Sequence, residues 1–324
     1  MMEECQRCLC CGRVLPAGEV PYHAKCLQRL FGMRQPPAFG YTQDEMNELA
    51  KKVVAARVSV PGVQPKLSLH LEKSGRENSR LTIVGLEGGF ILKPQAAPYP
   101  HLPEAEHFCM LLARECGIPT VEFGLMPLKS GELAYVTRRM DRTSGGMLHQ
   151  EDFCQILEKS PDQKYNGSIE QIGKALRKFS NVPMLDVTRL LDLTLFCFLT
   201  GNSDMHLKNF SMLRCADGHY ELVPAYDLVP VALVLPEDQE ELALTVNGKK
   251  NRLKLADFLK LGENLHLSAR QTSNAVGRIT RQVSANVGQV LPRSFLPIEM
   301  QDQLRELVKR RLAVMQSTDI LPGE

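Results

Sequence analysis

Two aspartates and an asparagine carry the chemistry most open to inference. Asp204 is followed five residues later by Asn209. Asp227 comes after two strand-like runs, Phe210 to Leu213 and Tyr220 to Val223, which flank an Asp217-Gly218 turn. Phosphoryl transfer from ATP requires a carboxylate to receive or orient the acceptor hydroxyl, and oxygen ligands for magnesium that bridge the nucleotide phosphates. Asp204 is then the catalytic base, Asn209 a magnesium ligand and Asp227 the principal magnesium carboxylate, with Lys208 close enough in sequence to reach the transferred phosphate. Taken singly, Asp204 and Asn209 are equally ordinary as loop residues whose side chains bond nearby backbone. Their order favours the chemical reading. The polar loop Asn202 to Asn209 directly follows an apolar helical run, Leu190 to Leu199, that Gly201 ends, and the hairpin should fold Asp227 back toward Asp204.

A phosphate-holding lysine on a strand, paired with a glutamate on the next helix, completes such a site. Lys93 ends the apolar run Phe90-Ile91-Leu92, and a helix opened by Pro103 carries Glu104 and Glu106. Glu106 is the expected partner. The competing reading is a solvated strand-end lysine and two glutamates that favour a helix N-terminus. Upstream, Ser59-Val60-Pro61-Gly62-Val63-Gln64-Pro65-Lys66 lies where a phosphate-covering loop belongs; Gly62 permits close backbone approach and Lys66 supplies positive charge.

The elements that must position these residues fall into two groups. A Cys-rich segment (1–35) precedes a β-rich region (36–148), with an amphipathic stretch around 43–56. Strand runs follow at Val63 to Leu71, Arg80 to Gly85 and Phe90 to Pro94, then a helix running to Gly117, then strands at Val121 to Pro127 and Leu133 to Arg139. Gly145-Gly146 marks a joint, and helices dominate 149–324. With 324 residues, 44% hydrophobic and 23% charged, the chain has ample core for two lobes. A net charge of +2, no Trp and 6% aromatics leave little for a nucleic-acid surface, so no direct nucleic-acid binding is expected. No apolar run is long enough for a bilayer, and the acidic start lacks a signal-peptide core, so the expectation is a cytoplasmic protein with no membrane partner.

These motifs resemble the HipA family of toxin kinases, and most closely its short HipT-like branch. The resemblance rests on Gly201-Asn202-Ser203-Asp204-Met205-His206-Leu207-Lys208-Asn209-Phe210, Pro224-Ala225-Tyr226-Asp227 and Val63-Gln64-Pro65-Lys66-Leu67. It extends to Phe90-Ile91-Leu92-Lys93-Pro94, Glu104-Ala105-Glu106-His107 and His149-Gln150-Glu151, all in family order over roughly residues 57 to 230. It implies an α+β, bilobed protein-kinase-like fold with a β-rich N-lobe and a mainly helical C-lobe, and the use of ATP and Mg2+. Nucleotide contacts are implied for Gly62, Val63, Gln64, Lys66, Lys93, Glu106, His206 and Tyr226, with a hinge at Gln150, Glu151, Asp152 and Phe153 touching adenine. The resemblance further implies a type II toxin–antitoxin serine/threonine kinase. Its substrate would be a translation-related protein, typically an aminoacyl-tRNA synthetase, and its partners a HipB-like DNA-binding antitoxin and a HipS-like small protein. It places autophosphorylation on Ser59; Pro61 stands where short members can carry a second serine. Asn202-Ser203 and Tyr226-Asp227-Leu228 depart from eukaryotic kinase motifs, which argues against activation-loop control of that type. A catalytically silent ATP-binding or antitoxin component is the alternative, and the intact Lys93, Asp204, Asn209 and Asp227 count against it.

Cys8-X-X-Cys11 followed by His23-X-X-Cys26 has the paired spacing of a structural zinc site, with Cys5 and Cys10 as spare candidates. Unligated thiols are the competing reading, because only one cysteine pair has diagnostic spacing and the family does not require zinc; zinc is not counted among the expected cofactors.

Overall fold

The computed structural model describes residues 6–16, 21–55, 66–74, 78–84, 88–143 and 145–316. Ser59, Gly62, Val63 and Gln64, the phosphate-loop candidates, lie outside the described residues. The chain divides into two compact units. Unit 1 takes in the described residues up to Leu111, Val121–Gly146 and Val290–Leu296; unit 2 takes in Leu112–Thr120, Met147–Gln289 and the described residues from Pro297.

Unit 1 begins with α1 (Ala24–Phe31) and α2 (Gln43–Ala55) and is built around five strands: β1 (Leu67–Ser74), β2 (Asn78–Val84), β3 (Phe90–Lys93), β4 (Phe123–Pro127) and β5 (Leu133–Arg138). They form one antiparallel sheet in the order β2-β1-β3-β5-β4. The register places Leu92 opposite both Leu67 and Val136, and these three side chains are buried. Period-two alternation thus turns one sheet face into core, while Ser68 and His70 of β1 fall on the other. Between β3 and β4 the chain forms α3 (Leu102–Glu115), with Pro103 in its first turn, where a missing N–H costs nothing. Gly117 ends it with φ +81°, a left-handed backbone that glycine adopts without a Cβ clash. The described part of the first expected strand runs from Leu67 to Ser74, so it continues past Leu71. Short strands β6 (Arg142–Thr143) and β7 (Gly146–Met147) follow.

In unit 2, β8 (Gln150–Asp152) leads into α4 (Phe153–Ile156), α5 (Ile169–Phe179) and α6 (Pro183–Thr200). The hairpin β9 (Ser211–Arg214) and β10 (Tyr220–Leu222) comes next, then α7 (Val231–Val234), α8 (Leu255–Asn264), α9 (Ala269–Val290) and α10 (Ile298–Gln316). α6 is apolar on nearly every face. Leu190, Leu191, Leu195, Phe196, Phe198 and Leu199 are all fully buried, which makes it the core helix of the unit. Phe198 meets Phe258 of α8 with ring centroids 5.0 Å apart; truncating such a ring to Ala costs about 3–5 kcal/mol. The hairpin is fastened to α6 by Asp186, a buried carboxylate that accepts from Leu222 N–H (2.9 Å) and from the Ser180 hydroxyl (2.6 Å). The fold is therefore α+β, with a β-rich unit and a mainly helical one, as the sequence leads one to expect. Among the described residues, no helix is long and apolar enough to cross a membrane.

Candidate active site

The end of α6 aims the polar loop. Gly201 takes φ +70°, its N–H bonds Phe198 O, and the Asn202 N–H bonds Cys197 O at 2.8 Å. This paired closure turns the chain sharply off the helix axis. A Cβ on Gly201 would lie 2.7 Å from Leu307 Cδ2 and 2.9 Å from Ala232 Cβ, so the tight approach also excludes larger residues. Buried Asn202 then folds its side chain over the loop, with its Oδ1 accepting the Asp204 N–H at 3.1 Å.

Asp204 presents a half-exposed carboxylate (48% side-chain exposure). The Tyr165 hydroxyl donates to its Oδ1 at 2.5 Å, and burial followed by the Asp204 charge pushes that hydroxyl above the ordinary tyrosine range. Tyr165 therefore stays protonated and acts as a donor. His206 Nε2 stands 3.9 Å from the same oxygen, and its ring meets Tyr165 edge-on at 5.1 Å. Asn209 donates its Nδ2 to the Asp204 carbonyl at 2.9 Å. That bond commits the amide nitrogen and leaves Oδ1, the atom that binds hard cations, to face elsewhere.

Asp227 sits one residue beyond a second tether. The Tyr226 hydroxyl donates to Lys208 O at 3.0 Å and, having one hydrogen, accepts from Ser211 at 2.7 Å. The hairpin return is thereby fixed to the segment that carries Asn209. Burial pushes the Tyr226 hydroxyl well up, which keeps it in the donor form this tether needs. Asp227 itself adopts φ +59°, a left-handed backbone uncommon outside glycine; strain of this kind collects where a side chain must be held at a fixed angle. The donor set of Asn209 amide oxygen and Asp227 carboxylate is hard and oxygen-based, which suits magnesium.

The remaining candidates in unit 2 line the same hairpin. Gln150, Glu151 and Asp152 form β8 and pair with Leu213, Met212 and Ser211 of β9. Phe153 is fully buried, and its N–H bonds Phe210 O. Lys208 Nζ stands 3.9 Å from Asp152 Oδ2, and Asp152 also caps α4 by accepting Gln155 N–H. In unit 1, Lys93 Nζ donates to Glu106 Oε1 at 2.6 Å, with side-chain exposures of 4% and 0%. Glu104 instead faces His101 at 3.8 Å. Lys66 is exposed at the start of β1.

Tyr165 and Asp238 contact the loop that carries Asp204 and were not singled out by sequence reasoning. Asp238 accepts the Ser203 hydroxyl at 2.5 Å. Tyr165 and Asp238 lie 39 and 35 residues from their partners, in loops without periodicity, so no sequence signal pointed to them. The Asn202 amide Nδ2 is buried with no hydrogen-bond partner among the described residues.

Comparison with known proteins identifies a family. The model of the HipA-like C-terminal domain matches residues 58–287. A putative kinase of Haemophilus influenzae is 28% identical over 80% of this chain and 82% of its own length. A putative kinase of Sinorhizobium fredii is 34% identical over 70% of this chain and 57% of its own. The serine/threonine-protein kinase toxin HipA of Shewanella oneidensis is 28% identical over 72% and 58%. The chain thus spans little more than half the length of those last two relatives. Among solved structures, the Shewanella HipA complex with HipB and operator DNA aligns at TM-score 0.65 and 22% identity, covering 94% of this chain and 74% of that one. The Helicobacter pylori proinflammatory kinase CtkA aligns at 0.54 and 16%, covering 77% and 95%. The fold is therefore kinase-like, and the chain belongs to the family of the HipA-like C-terminal domain.

Proposed function

We propose that this chain is an ATP-dependent serine/threonine protein kinase of the HipA toxin type, organised as in the short HipT-like branch. One observation carries the reading most: Asn209 bonds the backbone of Asp204 while Tyr226 pins Asp227 to the same segment. These bonds tie together the backbone segments that carry Asp204, Asn209 and Asp227, which supports reading the three as parts of one site. Asp204 accepts or orients the acceptor hydroxyl, with Tyr165 setting its direction. Asn209 and Asp227 would hold magnesium, which supplies charge neutralisation at the phosphates when bound. Lys93, oriented by Glu106, would hold the nucleotide phosphates, and Lys208 the phosphoryl group in transfer. Gly62, Val63, Gln64 and Lys66 would cover the phosphates, and Gln150 to Phe153, His206 and Tyr226 complete the nucleotide contacts.

The substrate in this reading is a translation-related protein, an aminoacyl-tRNA synthetase, whose phosphorylation arrests growth. Ser59 is the autophosphorylation site, where added negative charge beside the ATP phosphates repels nucleotide and switches the enzyme off. A HipB-like antitoxin and a HipS-like small protein are the expected partners; the HipB complex of the Shewanella relative supports the first. The test is transfer of labelled phosphate from ATP, with magnesium, to Ser59 and to purified synthetases. Label on a synthetase supports the toxin reading. No label on any protein, from folded and nucleotide-bound enzyme, favours the silent ATP-binding alternative.

A further inference from the structure

The N-terminal segment of unit 1 brings four ligand atoms into one small volume: the Cys8, Cys11 and Cys26 sulfurs and a His23 ring nitrogen all lie within 4.8 Å of one another. Local backbone explains the convergence. Gly12 reverses the chain after Cys11 with φ +67°, and its N–H bonds Cys8 O at 2.8 Å while Cys8 N–H bonds Arg13 O at 2.8 Å. This closes a knuckle that points both sulfurs the same way. His23 immediately precedes α1 and Cys26 lies in its first turn, so one helix start delivers the other two groups.

Two further features go beyond proximity. First, His23 Nε2 stands 3.0 Å from Val14 O. A carbonyl only accepts, so Nε2 carries the hydrogen, and the lone pair of the neutral ring is on Nδ1, which faces Cys11 Sγ at 3.3 Å. An outer hydrogen bond that fixes the tautomer and aims the other nitrogen inward is the support a metal-binding histidine needs. Second, the fully buried Cys8 sulfur accepts the His23 backbone N–H at 3.3 Å. Such an outer hydrogen bond orients the sulfur toward the other three groups, the support that ligating side chains have around a metal.

We infer that Cys8, Cys11, His23 and Cys26 bind one zinc ion in a closed, tetrahedral, structural site. Four protein ligands leave no open position for catalysis, and a mixed sulfur and imidazole set selects zinc over magnesium or calcium. The site braces a specific part of unit 1. Leu125 N–H bonds Leu9 O at 2.8 Å, Arg293 bonds Cys11 O, and buried His107 of α3 contacts Cys10 O at 3.0 Å. His107 is the neighbour of Glu106, so the knuckle steadies the helix turn that holds the partner of Lys93. The inference does not depend on the catalytic assignments.

The experiment is elemental analysis of the full-length protein purified without chelator, followed by cobalt titration of protein stripped of metal. The expected results are about one zinc per chain, and a cobalt spectrum with thiolate charge-transfer and tetrahedral d–d bands saturating at one equivalent. Cys11→Ser and Cys26→Ser should lose stoichiometric zinc, whereas Cys10→Ser should keep it. Metal removal should lower the thermal midpoint of the natural protein and leave the already metal-free variants unmoved. Protein that holds no zinc and gives no cobalt bands, that holds iron instead, or that shows a disulfide among these cysteines would overturn the assignment. So would zinc lost in Cys10→Ser and kept in Cys11→Ser. Because the wild-type measurement stands alone, a variant that fails to fold does not rescue the idea.

Discussion

Replacing Glu106 with glutamine should destabilise unit 1 far more than a surface ion pair could account for. Lys93 and Glu106 are 4% and 0% exposed and 2.6 Å apart, so removing one charge takes away the ion pair from a charge that stays buried. Breaking a buried pair from one side costs about 3–5 kcal/mol. Lys93→Met removes the opposite charge and should cost a similar amount. The double substitution Lys93→Met with Glu106→Leu strands nothing and keeps the volume, so it should lie within about 2 kcal/mol of the natural protein. Two single losses summing to roughly 6–10 kcal/mol against a small double loss is a coupling no pair of independent groups shows. The assay is urea denaturation followed by circular dichroism, since the chain has no tryptophan to report by fluorescence. ATP binding by the folded double variant then separates structure from function: it should be stable and fail to bind. Single losses under about 1 kcal/mol, or a double loss equal to their sum, would refute the reasoning.

Three other predictions concern unit 2. Tyr165→Phe removes the donor to Asp204 and should lower kcat about tenfold; an unchanged kcat would make Tyr165 a bystander. Gly201→Ala forces a Cβ into the left-handed region and against Leu307 and Ala232; it should cost about 2–4 kcal/mol in chemical denaturation, and a neutral result would contradict the tight loop exit. For Asp257, burial raises the carboxyl pKa, but the hydrogen bonds from Lys249, Asn247 and the Lys254 N–H outweigh it and hold the group below the ordinary carboxylate range. A depressed folded-state pKa gives stability that is full above the unfolded value and is lost as pH falls through the folded one. The stability difference between the natural protein and Asp257→Asn should therefore shrink below about pH 4, and a difference that grows there would reverse the sign of the argument.

Much of this could be read from local pattern. Gly201 after an apolar helix, the Asp217-Gly218 turn between two strand runs, and Pro103 opening α3 are all signals contained within a few residues. The pairing of Lys93 with Glu106 rather than Glu104 follows from the same economy: a strand end and the first turns of the next helix leave few side chains that can meet. What could not be read depends on distant chain. Tyr165 reaches Asp204 across 39 residues, Asp186 ties the hairpin to α6 across 36, and Val290–Leu296 joins unit 1 from far along the chain. Nothing in residue type or spacing encodes such contacts, because loop residues take their positions from the cores they bridge. The cysteine cluster stood between the two. Its spacing suggested convergence, while the orientation of His23 required the position of Val14 O, which only the folded knuckle supplies.

The most direct test of the central claim measures ATP affinity and phosphate transfer on the same preparations of the natural protein and Asp204→Asn, both with magnesium. The account predicts equal affinity and a loss of transfer of about 10²–10⁴-fold, the usual worth of a positioned base. Equal transfer by the two proteins, or nucleotide binding with no transfer by either, would contradict it.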